Sequence, residues 1–196
     1  MVRNSNTTKK DVEFYNEQIT GIVDWAVVHK PRTVYGKDGS TKVDDMEYSL
    51  SIRMDDENTY KQYTDIIKKH GISELVFNPK TRKDVPRVRQ NKEGQLELRV
   101  KRAAGNREGV LVELPVVDRN AQPIPKDTLI GNGSKAIVKL LIKHDLSEDT
   151  HTIRLQGLQV LKLEKPSGVK FDVVPDDDLD EGNATTTMTK AAQDIF

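Results

Sequence analysis

The chain has 196 residues, of which 35% are hydrophobic and 32% are charged, so we expect one domain with appendages or at most two small domains. No apolar run approaches the roughly 18 residues of a membrane-spanning helix, and the polar N-terminus does not resemble a signal peptide. The chain has no cysteine, which excludes disulfides and thiolate metal sites and fits a reducing cytoplasm.

The first half predicts a strand, a hairpin, a second strand and a helix. The strand covers residues 19–29, is rich in β-branched side chains and contains Trp25. Asp38-Gly39 is typical of a hairpin turn, and residues 46–54 alternate as a returning strand. A helix is predicted to begin at residues 55–57, to place Tyr60, Tyr63 and Ile67 on its apolar face, and to be capped by Gly71.

The most basic part of the chain follows this helix. Residues 80–107 contain ten bases and three acids, and the alternating segment 96–102 predicts a strand with a charged outer face. A further strand is predicted over residues 110–117. The bases suit a polyanion surface, although they could equally form a solvated face.

The segment 128–163 predicts two strands around a polar turn. Gly131-Asn132-Gly133-Ser134 is interpreted as a tight entry into the first strand, in which apolar residues 136, 138, 140 and 142 alternate with three lysines. In the second strand the alternation is interrupted at Gly157, which predicts a bulge or sharp bend. Together the elements predict a mostly β fold, a five- to six-stranded OB-fold barrel with one main α-helix after the second strand. A β-sandwich remains open.

The charges are unevenly distributed, although the formal net charge is zero. Residues 171–196 carry seven acids and one base, whereas residues 1–170 carry 30 bases and 24 acids. A basic body with an acidic tail suggests that the tail imitates an anionic ligand. We divide the chain into a flexible N-terminus (1–15), an OB-fold single-stranded DNA-binding domain (16–170) and an acidic disordered tail (171–196).

The segment PVVDRNAQPIPKDTLIGNGSKAIVKLLI, followed by TIRLQGLQVLKL, resembles the C-terminal half of the single-stranded DNA-binding proteins of tailed phages. The resemblance covers residues 18–165 and the tail, which reads AAQDIF at its end. It implies an OB fold that coats single strands without sequence preference during phage replication, recombination and repair, in the cytoplasm of the host cell. It also implies that the tail docks polymerase and helicase and competes with DNA, through Asp176, Asp177, Asp178, Asp180, Glu181, Asp194, Ile195 and Phe196. A homodimer is left open.

Binding of single strands requires a cationic groove for phosphates and flat side chains for bases. The candidate phosphate contacts are Lys30, Arg32, Lys42, Arg82, Lys83, Arg87, Arg89, Lys92, Arg99, Lys101, Arg102, Arg107, Lys135 and Lys139. The candidate stacking residues are Trp25, Tyr35, Tyr48 and Phe77. For Trp25, Tyr48 and Phe77 the competing interpretation is a place in the core, whereas Tyr35 lies beside a hairpin tip and is expected to be exposed.

Catalysis finds little support in the sequence. His144, Asp145, Asp149 and His151 surround one turn and could in principle hold a cation, but a solvated turn is the interpretation we favour. Phosphate-loop and nucleophile-elbow motifs are absent. We therefore expect no catalytic residue, no metal and no cofactor, and single-stranded DNA as the ligand of a protein that is not an enzyme. The alternatives are a partner-binding or virion-associated structural β-barrel protein, and a metal-dependent nuclease.

Overall fold

Strands dominate the computed structural model, which describes residues 11–34, 41–78, 80–106 and 108–166. The strands are β1 Val12–Thr33, β2 Met46–Arg53, β3 Leu75–Asn78, β4 Lys83–Pro86, β5 Val88–Gln90, β6 Leu96–Ala103, β7 Val116–Val117, β8 Ser134–Asp145 and β9 Thr150–Lys162. The helix α1 spans Glu57–Lys69, and a 3₁₀ turn spans Val43–Asp45. The predicted hairpin turn at Asp38-Gly39 and the acidic tail lie outside the described residues.

The main sheet has the strand order β5-β6-β2-β1-β8-β9-β7, and β3 pairs with β4 separately. All pairs are antiparallel except β7 with β9. β6 also contacts β9, so the five long strands curve into the closed order of an OB-like barrel. The predicted fold class and the position of the helix after β2 are confirmed. The two short strands β5 and β7 extend the sheet beyond those five.

The core follows the predicted alternation of β8. Lys135 and Lys139 are exposed on one face, whereas Ala136, Val138, Leu140 and Ile142 on the other face are each at most 1% exposed. They pack with inward residues of β1, β2, β6 and β9 in one cluster. Full burial of each Val, Leu or Ile side chain contributes about 1.5–3 kcal/mol, so this cluster is the main source of stability of the barrel.

A bulge in β9 bends the barrel at Gly157. Lys139 of β8 pairs with Gly157 and Leu140 pairs with Leu155, which leaves Gln156 as an extra residue. A Cβ atom on Gly157 would lie 3.3 Å from the Pro115 carbonyl oxygen. The extra residue returns Leu158 to the core side, as the interrupted alternation predicts.

The helix α1 closes one side of the barrel. Its N-cap Asp56 accepts a hydrogen bond from the Thr59 backbone at 2.8 Å, and Gly71 adopts a positive φ of 62° just after the helix, as expected for a C-terminal cap. Tyr63, Ile66 and Ile67 are buried, but Tyr60 is 40% exposed. The predicted apolar face is therefore wrong at Tyr60. The described residues include no helix with the length and apolar composition needed to span a membrane.

Candidate nucleic-acid interface

A groove of about 880 Å³ runs along β6. The end of β1, the starts of β2 and β9, the strand β5 and the β3–β4 hairpin form its walls. Its lining residues are Arg32, Thr33, Val34, Glu47, Val76, Lys80, Arg87, Arg89, Glu97, Leu98, Arg99, Val100, Lys101, His151, Thr152 and Ile153. Because β2 and β6 are the second and third long strands of the barrel, the groove lies on the face that OB folds use for oligonucleotides.

The groove is cationic. Six bases line it with only two acids, and all of these bases except Lys80 are among the candidate phosphate contacts. One of the acids, Glu47, lies 3.2 Å from the ammonium of Lys101. A phosphate entering the groove would meet the remaining positive charge and could replace this carboxylate on Lys101.

Arg87 is more deeply held than the other bases. Its guanidinium donates hydrogen bonds to the carbonyl oxygens of Ser73 at 2.7 Å and His151 at 2.9 Å. Burial lowers the pKa of Arg87 below its usual value. The side chain thus connects the loop after α1 to the start of β9, and it shapes the groove as well as charging it.

Trp25 lies on the surface of β1. The competing interpretation, a place in the core, is therefore wrong for this residue. The side chain is 64% exposed, and the residue has a positive φ of 53°, which non-glycine residues seldom adopt. The register between β1 and β2 shifts between Asp24 and Val27, so Trp25 lies in a bulge. Its backbone N–H donates to the Asn132 side-chain oxygen at 2.8 Å.

An ion pair between Asp24 and Arg53 stabilises the backbone of this bulge. Asp24 is 5% exposed and accepts hydrogen bonds from Arg53 at 2.5 and 3.0 Å. The other donor to Asp24 is the backbone N–H of Gly133, at 2.8 Å. The Gly131–Ser134 loop that the sequence marks as a strand entry therefore also fixes the chain at Asp24 and Trp25.

The same loop is anchored to the chain after β9. The Ser134 hydroxyl donates to the Gly131 carbonyl at 2.7 Å and accepts from the Glu164 backbone at 3.0 Å. A Cβ atom on Gly131 would lie 2.5 Å from the Glu164 carbonyl oxygen. Only glycine fits this approach, which explains the first glycine of the loop.

The strand register relates Trp25 to the groove. Asp24 pairs with Ser51 of β2, and Ser51 pairs with Arg99 of β6. At about 4.8 Å per strand spacing, the Cα atoms of Asp24 and Arg99 are about 10 Å apart. Trp25 thus directly follows Asp24, which lies in the same row of paired residues as the groove residue Arg99.

The other predicted stacking residues have different environments. Tyr48 is 1% exposed on the inward face of β2, so its prediction as a stacking residue is wrong and it belongs to the core. Phe77 is 60% exposed on β3, but strand alternation points it away from the face on which Val76 lines the groove. Tyr35 lies outside the described residues.

The remaining predicted bases are not brought into the groove. Lys30, Lys42, Arg82, Lys83, Lys92, Lys135 and Lys139 are exposed but are not among the described lining residues. Arg102 pairs in register with the buried Tyr48, and alternation therefore places it on the opposite face of β6 from Arg99 and Lys101. Arg102 therefore does not lie in the groove, and its contact with DNA stays a prediction. Arg107 and the tail residues lie outside the described part.

Two histidines meet at the end of the β8–β9 hairpin. The rings of His144 and His151 stack with centroids 3.9 Å apart, and the Asp149 carboxylate lies 3.0 Å from His144 Nε2. Burial, with a smaller contribution from His144, lowers the pKa of His151. His151 also lines the groove, so this cluster lies at one end of it.

Several residues of the site were not predicted from the sequence. The ion pair of Asp24 and Arg53 joins two strands, and the wall residues Thr152 and Ile153 come from the far end of the chain. The one available signal was the Gly131–Ser134 loop, whose two glycines and amide side chain indicate close backbone contacts.

No family model matches the chain, and no curated protein matches it. Among solved structures, the single-stranded DNA-binding protein from bacteriophage Enc34 in complex with ssDNA aligns with a TM-score of 0.51 and 13% identity, over 78% of this chain and 89% of that one. The single-stranded DNA-binding protein gp2.5 encoded by bacteriophage T7 aligns with a TM-score of 0.47 and 18% identity, over 83% of this chain and 98% of that one. At these identities the likeness concerns the fold: the chain has the fold of the phage single-stranded DNA-binding proteins, as its sequence resemblance implied.

Proposed function

We propose that this protein binds single-stranded DNA without sequence preference, through the cationic groove along β6 and the exposed ring of Trp25. The observation that carries the proposal is the gathering of six bases against two acids on the oligonucleotide-binding face of an OB-like barrel. The solved complex of the Enc34 protein with ssDNA, which shares the fold, supports the same ligand.

The groove supplies the affinity for the backbone. Arg32, Arg99 and Lys101 reach it from three different positions on β1 and β6, so a strand lying in the groove would meet positive charge along its path. Phosphate contacts of this kind carry no sequence information. Binding is therefore indifferent to sequence, and it weakens as salt rises.

Trp25 supplies a platform for a base. Stacking on an aromatic ring is worth about 1–3 kcal/mol per base and tolerates any base. The ring is exposed without a ligand because the bulge and the Asn132 hydrogen bond hold the backbone in a conformation that turns it outward. The platform is thus formed before the DNA arrives, which lowers the entropic cost of binding.

The acidic segment 171–196 regulates this groove. With seven acids and one base, it is an electrostatic imitation of the ligand, and DNA would displace it. Once displaced, it docks polymerase and helicase, so that the protein acts in phage DNA replication, recombination and repair. The protein acts as a binding protein in the cytoplasm of the host cell and not as an enzyme.

The test is a titration with labelled oligo-dT at several salt concentrations. If about four phosphates are neutralised, the logarithm of the association constant falls with the logarithm of the salt concentration at a slope near −3. The variant Arg32→Ala/Arg99→Ala should reduce that slope by about 1.4. The control Lys61→Ala/Lys68→Ala removes two exposed charges from α1, outside the groove, and should leave the slope unchanged.

A flat salt response, or equal losses in the two double variants, would overturn the groove as the binding site. The tail is tested separately in the full-length chain, by replacing residues 176–178 and 180 with asparagine and residue 181 with glutamine. Neutralisation should tighten binding at low salt and have less effect at high salt. Unchanged binding at both salt concentrations would remove the competition and leave the groove proposal standing.

A further inference from the structure

A histidine–aspartate cluster lies at the end of the β8–β9 hairpin, beside the proposed DNA-binding groove. His144 and His151 are direct partners in the strand register, and Asp149 lies in the turn that joins the strands. One potential ligand atom from each of the three residues lies within 4.8 Å of the other two. Three side chains that can all donate a lone pair to a cation are therefore already gathered.

The second observation is an unsatisfied atom. Nε2 of His151 is buried and has no hydrogen-bond partner. Buried polar groups in folded proteins nearly always have a partner, and an orphan atom calls for an explanation such as a bound ion. Its neighbour His144 also approaches a second carboxylate, since Nδ1 of His144 lies 3.9 Å from Glu13.

We propose that His144, Asp149 and His151 form a binding site for a divalent transition-metal ion of the zinc class. Two imidazole nitrogens and one carboxylate oxygen form a ligand set that zinc uses in proteins, and imidazole also suits nickel and copper. Three protein ligands leave the fourth tetrahedral position to water or to an anionic ligand.

The cluster can reach the required geometry with small movements. With metal–ligand bonds of about 2.0–2.1 Å, the ligand atoms of a tetrahedral site lie about 3.4 Å apart. The side chain of Asp149 is 90% exposed, so it can turn freely toward an ion. The two rings are held side by side by the strand pairing, and the ligand atoms of the cluster already lie within 4.8 Å of one another, so shifts of about 1–2 Å would bring them to that spacing.

Glu13 gives the site an outer partner. A carboxylate beside the second ring nitrogen of a ligating histidine fixes the tautomer and the orientation of the ring. The metal would lie beside the groove that His151 also lines. A fourth coordination position at that end could accept a phosphate oxygen, a consequence that rests on the proposed function, whereas the binding of the metal does not.

The test uses the full-length protein after removal of metals with a chelator, and no nucleic acid. Titration calorimetry with Zn²⁺, and the visible absorption of bound Co²⁺, should both report one ion per chain. The variants His151→Gln and Asp149→Asn should each weaken that binding by at least about 10-fold. The matched control His29→Gln, which alters a histidine on β1 away from the cluster, should bind the ion as the unaltered chain does.

A measurement on the unaltered chain keeps the proposal falsifiable if a variant folds poorly. In histidine-ring NMR spectra, Zn²⁺ should shift the resonances of His144 and His151 and leave those of His29 and His70 in place. Absence of one-to-one binding would overturn the proposal. So would binding that survives both His151→Gln and Asp149→Asn, or shifts confined to other histidines.

Discussion

Replacing Asp24 by alanine should destabilise the protein and weaken its binding of DNA together. The carboxylate is 5% exposed and accepts two hydrogen bonds from Arg53 and one from the Gly133 backbone. Removal of one partner of a fully buried ion pair costs about 3–5 kcal/mol. Here the Arg53 side chain is 34% exposed and can be solvated, and the N–H of Gly133 retains the Val23 carbonyl as an acceptor at 3.1 Å.

We therefore expect a loss of about 2–3 kcal/mol in the free energy of unfolding, because the charged hydrogen bonds are lost and the desolvation of Arg53 is partly relieved. For a domain of this size that loss corresponds to a fall in Tm of about 4–12 °C. Urea denaturation followed by circular dichroism measures the first quantity, and a thermal scan measures the second. Affinity for oligo-dT should fall by about 10-fold, since part of a stacking energy of about 1–3 kcal/mol is lost when the bulge loosens.

The matched control is Glu113→Ala, which removes an acid from the exposed ion pair with Lys126. Exposed pairs contribute about 0–1 kcal/mol, so this variant should keep both stability and affinity. Equal unfolding free energies for the two variants would refute the account of the Asp24 ion pair. If Asp24→Ala destabilised the chain but bound DNA normally, the pair would be structural only, and its link to Trp25 would be wrong.

Three further outcomes follow from the structure. Trp25→Ala should weaken oligo-dT binding by about 5- to 150-fold with little change in stability. Because Trp25 is the only tryptophan, quenching of its fluorescence by DNA measures the contact directly in the unaltered chain. Unquenched emission at saturation would contradict stacking. Gly131→Ala should lower the free energy of unfolding by about 3 kcal/mol, because the added Cβ would overlap backbone atoms. At Gly94 the space is open but φ is positive, so Gly94→Ala should lower it by about 1–2 kcal/mol. Equal losses for the two variants in urea denaturation would argue against the overlap. Burial lowers the pKa of both His29 and His151, so the unfolded chain binds more protons than the folded chain. The contribution of these two histidines to stability is therefore fully present above about pH 6.5. It is lost as the pH falls through their lowered folded pKa values. Urea denaturation at pH 7.5 and 5.5 should show this loss, and the double variant His29→Gln/His151→Gln should reduce it; an undiminished loss in that variant would assign it to other groups.

Local patterns predicted the elements of the fold because each element depends on neighbouring residues. The alternation in β8 depends only on which face meets the core, and the bulge at Gly157 is visible as a break in that alternation. The cap of α1 at Asp56 likewise depends on a side chain and an amide three residues apart. Tyr60 was misplaced because periodicity predicts the direction of a helix face but not its width.

The site depended on contacts that no local pattern contains. Arg99 and Lys101 alternate visibly along β6, yet the wall opposite them comes from His151, Thr152 and Ile153, about fifty residues later in the sequence. The exposure of Trp25 required a positive φ inside a strand, which the run of β-branched residues around it does not predict. Sequence reasoning could therefore nominate bases for the groove, and the alternation of β6 separates Arg99 from Arg102, but the wall from β9 could not be predicted.

The length of β1 has a consequence for how the barrel comes apart. From Val12 to Val23 the strand pairs with β8, and from Val23 onward it pairs with β2. The two halves of the barrel thus share one continuous strand, so neither half can open without fraying the other. Trp25 lies two residues beyond this switch, so opening of the backbone at its bulge is coupled to both halves of the barrel.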